Sequence, residues 1–145
     1  MANDQADVIK HLEMIQGIVN RMAANSFTVK GWSVAAGAAL LALAFQTQDR
    51  DFLVLAIIPV VGFWGLDAYY LRRERLFRRL YDHVRRVLEA TPNNPLAPEV
   101  TPFCMNTTPY EKEVDTFQKT LWAPVIKYLH GPVASVAIVI YLFWR

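Results

Sequence analysis

Three stretches of this chain carry no charged residue, and each is close to the length a lipid bilayer demands. Gly31 to Gln48 is 18 residues, Phe52 to Leu66 is 15, and Tyr128 to Trp144 is 17. The second extends to Leu71 if Asp67 is tolerated, and the third reaches back to about Leu121 if Lys127 snorkels. A hydrocarbon core needs about 20 mostly apolar residues to cross it, so each stretch predicts a transmembrane helix. The spans are expected at about 27–46, about 52–71 and 121–145. Trp32, Phe52, Trp64, Tyr69, Tyr70, Trp122, Tyr128 and Trp144 fall near the ends of these stretches, where aromatic belts form.

The competing reading is a soluble bundle with three buried helices, and composition weighs against it. A 145-residue chain that is 54% apolar and only 19% charged has little polar surface with which to coat a small globule. The same figures exclude a disordered chain. A single cysteine excludes an internal disulfide framework, and no zinc motif, phosphate loop or nucleophile elbow is present. No metal, cofactor or catalytic residue is therefore expected, and a net charge of +2 gives no reason to expect a nucleic-acid partner. The first apolar run starts only at residue 31 and reads as a retained helix, not a cleaved leader.

Lysine and arginine counts set the expected orientation. The short connection between the first two spans holds one arginine, whereas the connection after the second holds Arg72, Arg73, Arg75, Arg78, Arg79, Arg85 and Arg86. That basic side is expected to stay in the cytoplasm of a bacterial inner-membrane protein, with the N-terminus cytoplasmic and the C-terminus periplasmic.

Helical periodicity continues beyond the spans. Val8, Leu12, Ile15, Val19 and Met22 follow at spacings of 4, 3, 4 and 3, and Phe77, Leu80, Val84 and Val87 at 3, 4 and 3, with Leu76 and Leu88 widening the second stripe. The expected fold is all-α and integral to the membrane. It has three transmembrane helices, two of them prolonged into a cytoplasmic helical-hairpin stalk over residues 1–90, whose last part, 72–90, is a basic helix. Centred on a turn between Gln48 and Asp49, Lys30 and Asp67 are equidistant from it along the chain. They either form an intramembrane ion pair or each mark the interface and reach water.

Residues 91–120 read as a cytoplasmic insert. Pro92, Pro95, Pro98 and Pro102 forbid a helix, which is expected to restart at Thr108-Pro109-Tyr110-Glu111 with a capping box, lined by Val114, Phe117 and Leu121. A loop this long needs a reason, and wrapping the stalk or a neighbouring subunit supplies one. In the third span, Gly131–Pro132 is expected to kink or divide the helix. His130 beside it reads either as a gate or proton site or as an interfacial histidine. Small residues recur at intervals of four, Ser33 with Gly37, Ala35 with Ala39 and Ala38 with Ala42, which permits close helix contact within the hairpin or between chains.

The arginines admit two uses. They form a solvated flank that touches anionic lipid, or, multiplied by self-association, a ring that binds a phosphorylated small-molecule signal or a cytoplasmic acidic protein through bidentate contacts. The layout over residues 1–90, with two close-set spans about Lys30 and Asp67 and the charged helix from Arg72 to Arg86, resembles the SLATT-type membrane effectors. That resemblance implies a small bacterial protein of a nucleotide-signalling, antiviral defence system, acting by homo-oligomerising and permeabilising the inner membrane. The third span and the proline-rich insert depart from the plain two-span pattern. The expected function is that of a non-enzymatic, self-associating effector, possibly pore-forming in its assembled state; the alternative is a membrane anchor or scaffold for a soluble cytoplasmic partner.

Overall fold

A computed structural model describes residues 2–49, 51–88 and 101–143, without the side chains of 2–4 and 88. The expected loop 91–100 and the end of the basic helix at 89–90 lie outside the described residues. All regular structure among them is helical: α1 is Ala2–Thr47, α2 is Asp51–Leu88, a 3₁₀ turn covers Thr108–Tyr110, α3 is Phe117–Leu121 and α4 is Pro124–Phe143. α1, α2 and α4 are each long and apolar enough to cross a membrane. At 1.5 Å per residue, α1 with 46 residues is about 69 Å long and α2 with 38 about 57 Å, whereas α4 with 20 is about 30 Å, one hydrocarbon thickness.

α1 and α2 run antiparallel. Gln48 takes a left-handed φ of 54°, and the Asp49 N–H reaches back to the Ala44 carbonyl at 3.2 Å, the closing pattern of a Schellman cap. Asp49 then accepts the Asp51 N–H at 2.9 Å and starts α2. At the far end of the pair, Leu12, Ile15 and Val19 pack with Leu80 and Val84, flanked by Val8, Phe77, Tyr81, Met105 and Tyr110. The segment after residue 100 lies across this cluster. His11, buried in α1, donates from Nε2 to the Cys104 carbonyl at 3.1 Å, and Tyr110 lies against His83 with ring centroids 5.7 Å apart.

The restart of helix at Thr108 is corrected. Thr107 makes no side-chain cap, Asn106 Oδ1 takes the Thr108 N–H, and only a single 3₁₀ turn forms. The capping threonine is Thr116, whose hydroxyl accepts the Lys119 N–H, and the short α3 follows it. Phe117 is exposed, so the stripe expected through Val114, Phe117 and Leu121 is broken. The third long helix begins at Pro124, not at 121, and runs undivided through Gly131–Pro132. Proline has no N–H to give, but a membrane helix tolerates it where nearby side chains re-bond carbonyls, and Ser135 donates its hydroxyl to the Gly131 carbonyl at 2.8 Å.

Candidate functional site: a polar clip joining three helices

Leu12, Val19, Ser26 and Ser33 succeed one another at intervals of seven, so one seam of α1 carries first apolar and then hydroxyl side chains toward its neighbours. Ser26, Ser33, Asp67 of α2 and His130 of α4 are all buried, the last three with no exposed surface. Lys30 Nζ lies 2.5 Å from Asp67 Oδ1 and 2.7 Å from Ser26 Oγ. Ser26 donates its own hydroxyl to the same carboxylate oxygen at 2.5 Å. The other carboxylate oxygen, Oδ2, faces His130 Nε2 at 3.4 Å, and His130 Nδ1 faces Ser33 Oγ at 3.1 Å. An ionised carboxylate only accepts, so Nε2 carries the imidazole proton and Nδ1 accepts from Ser33.

Trp64 closes the side of this group. Its ring stacks on His130 with centroids 6.0 Å apart and planes 11° apart, and it meets Trp122 edge-on at 5.6 Å. Its indole N–H donates to the Leu121 carbonyl at 2.8 Å, satisfying one of the carbonyls left free where α3 ends. Among the described residues no buried side-chain nitrogen or oxygen lacks a partner. This matters because removing two charges from water costs several kcal/mol per ion unless geometry and hydrogen bonds compensate.

Ser33, His130 and Asp67 follow the order of a nucleophile, its base and an orienting acid. Ser33, however, sits in mid-helix with its hydroxyl enclosed, and the surrounding backbone N–H groups are spent on α1, leaving none to stabilise an oxyanion there. The arrangement binds α4 to the hairpin. Among the described residues no group of His, Cys, Asp and Glu is placed to hold a metal ion.

One turn beyond Ser33, α1 comes close to α4. A Cβ placed on Gly37 would lie 3.3 Å from Val133 Cγ1. The Ser33–Gly37 pair thus serves contact within the chain. Gly37→Ala is expected to be absorbed by a shift of a few tenths of an ångström. Gly37→Leu should cost about 1–3 kcal/mol by overpacking and lever α4 away. The cross-linking yield between cysteines placed at Ala38 and Ala137, which line one crevice, should fall in the leucine variant and persist in the alanine one.

The seven arginines of α2 do not converge within one chain. Arg72 Nε donates to the Asp115 carbonyl at 3.2 Å and Arg75 pairs with the Asp115 carboxylate at 3.0 Å. Arg78 pairs with Glu74 at 2.7 Å, and Arg73 lies over the Tyr69 ring at 5.5 Å. Arg75, Arg78 and Arg79 line a groove of about 500 Å³, but Asp82, Glu113 and Asp115 line it too. Arg85 and Arg86 are exposed on the last turns. Outside the spans, burial and the nearby Glu113 raise the Tyr110 phenol above its ordinary range, so it stays a neutral part of the hairpin cluster.

No family model, curated protein or solved structure matches this chain.

Proposed function

We propose that this chain is a non-enzymatic, self-associating protein of a bacterial inner membrane, with the basic ends of α1 and α2 forming a stalk in the cytoplasm. A signal received there, a phosphorylated small molecule or an acidic protein, alters the packing of the spans and permeabilises the bilayer, as in the SLATT-type effectors it resembles. One observation carries the reading. With Ser33 and Gly37 turned to α4, the small residues Ala35, Ala38, Ala39 and Ala42 of α1 stay exposed. Lipid tails are as apolar as leucine, so helices associate in bilayers through close packing at such small residues.

The test is the oligomeric state in native membranes, joined to release of trapped dye from vesicles holding the purified chain. A mixture of oligomers linked through cysteines at Ala35 or Ala39 and dye release on activation are expected. A stable monomer in native membranes overturns the reading.

The second reading, an anchor for a soluble partner, is favoured by a different feature. Ile9 and Met14 are exposed on α1 far from the spans, and Ile9, Glu13, Gln16, Gly17, Asn20 and Tyr81 line a groove of about 480 Å³. Co-purification of one stoichiometric soluble protein, with no dye release, would select it.

A further inference from the structure

We infer that the three-helix clip is a proton relay, and that the species this protein passes across the bilayer is the proton, carried within a single protomer. The inference rests on the permeabilisation reading for there being a flux, but not on the assembly proposed to produce it.

Four side chains with exchangeable protons form one chain of contacts: Lys30 to Asp67 at 2.5 Å, Asp67 to His130 at 3.4 Å, and His130 to Ser33 at 3.1 Å. Lys30 alone of these reaches solvent, with 19% of its side chain exposed. The titratable and charged groups facing the site are Lys30 from α1, Asp67 from α2 and His130 from α4. The next ionic pair on α2, between Arg75 and Asp115, lies two turns farther along. Ionisable groups inside a membrane are costly, and those that persist commonly mark ion or proton paths.

The polar chain stops at Ser33. From there toward the α1–α2 turn runs a crevice of about 280 Å³ whose lining, including Val34, Gly37, Leu53, Ala56, Val60 and Val133, is wholly apolar. At about 30 Å³ each, such a space has room for about nine waters. In single file at about 2.8 Å they would cover about 25 Å, and Ser33 to Thr47 along α1 is about 21 Å. An apolar crevice stays dry at rest and conducts only when wetted, which is how hydrophobic constrictions gate. A hydrated metal ion finds no lumen beside the enclosed Ser33 and His130. A proton needs only bonds that exchange.

The step balances. Ser33 takes a proton from crevice water as its own hydroxyl proton moves to His130 Nδ1. His130 releases its Nε2 proton to Asp67 Oδ2. Asp67 turns about its Cβ–Cγ bond and hands that proton to Lys30, which has given one of its own to water. One proton enters and one leaves, and the imidazole resets when its ring flips.

The test uses the full chain in phosphatidylethanolamine–phosphatidylglycerol vesicles. They trap a pH-sensitive dye and, in parallel samples, carboxyfluorescein, with valinomycin and potassium to balance charge. Val60→Ser and Ala56→Ser, which hydrate the crevice, should raise proton uptake above wild type with no release of carboxyfluorescein. Adding Ser33→Ala or His130→Gln to Val60→Ser should return uptake to the rate of protein-free vesicles. Ser33→Ala leaves the His130 contact with Asp67 in place, so it remains decisive even if His130→Gln disturbs folding. Uptake that survives Ser33→Ala, or no uptake from Val60→Ser, overturns the relay. Uptake that occurs only with carboxyfluorescein release also overturns it, and leaves the assembled pore standing. Uptake without dye release from a monomer leaves the relay standing and removes the pore.

Discussion

Asp67→Ala is expected to be the most damaging single substitution in this chain, at about 3–5 kcal/mol, the range for breaking one half of a buried ion pair. The carboxylate is fully enclosed and is shared by Ser26, Lys30 and His130, one partner group from each packed helix. Alanine leaves an ammonium, a hydroxyl and an imidazole N–H all without their acceptor. Lys30 keeps a path to solvent through its exposed fifth, which places the cost toward the lower end of the range. Asp67→Asn retains an acceptor oxygen but loses the charge and should fall between alanine and wild type. Removing both charges as Lys30→Met with Asp67→Leu should recover much of the loss, since apolar replacement of a buried pair is often nearly neutral. Unfolding in mild detergent, followed by steric trapping, measures all four proteins. Equal stability of Asp67→Ala and wild type would show that Lys30 and Asp67 each reach water on their own.

How much of this was legible in the residues differs by element. Three runs without charge announce three helices long and apolar enough to span, because no other fold hides the backbone from lipid. The equal distance of Lys30 and Asp67 from the turn follows from an antiparallel pair in register. The clip as a whole was harder to see. Ser26 and Ser33 continue the seven-residue interval of Leu12 and Val19, and extending that apolar seam across the polar positions would have found them. His130 was visible as an odd residue in an apolar run, but its partners lie 63 and 97 positions away in sequence. Local pattern cannot supply such a pairing. The misplaced helix start at Thr108 has a local cause: Asn106 competes for the N–H that a capping box requires. His11 carried no signal, because its partner is a backbone carbonyl, which every residue possesses.

Ile15→Ala tests where water ends along the hairpin. Ile15 is fully buried at the centre of the cluster with Leu12, Val19, Leu80 and Val84. If that end of the hairpin stands in water, truncation forfeits the transfer of three carbons, at about 0.8 kcal/mol each, together with the cavity left behind, so about 2–5 kcal/mol is expected. Met105 and Tyr110 rest on the same cluster, so hydrogen exchange should rise together over residues 5–22 and 101–110. Leu53 is equally buried, but it sits near the α1–α2 turn within the apolar run. In hydrocarbon the transfer contribution disappears, because the unpacked side chain meets lipid as apolar as itself. Leu53→Ala should therefore cost distinctly less than Ile15→Ala, although both delete three carbons from enclosed sites. Equal costs would place both ends of the hairpin in the same solvent. The stalk would then have to be abandoned, since only water on one side gives the two truncations different prices.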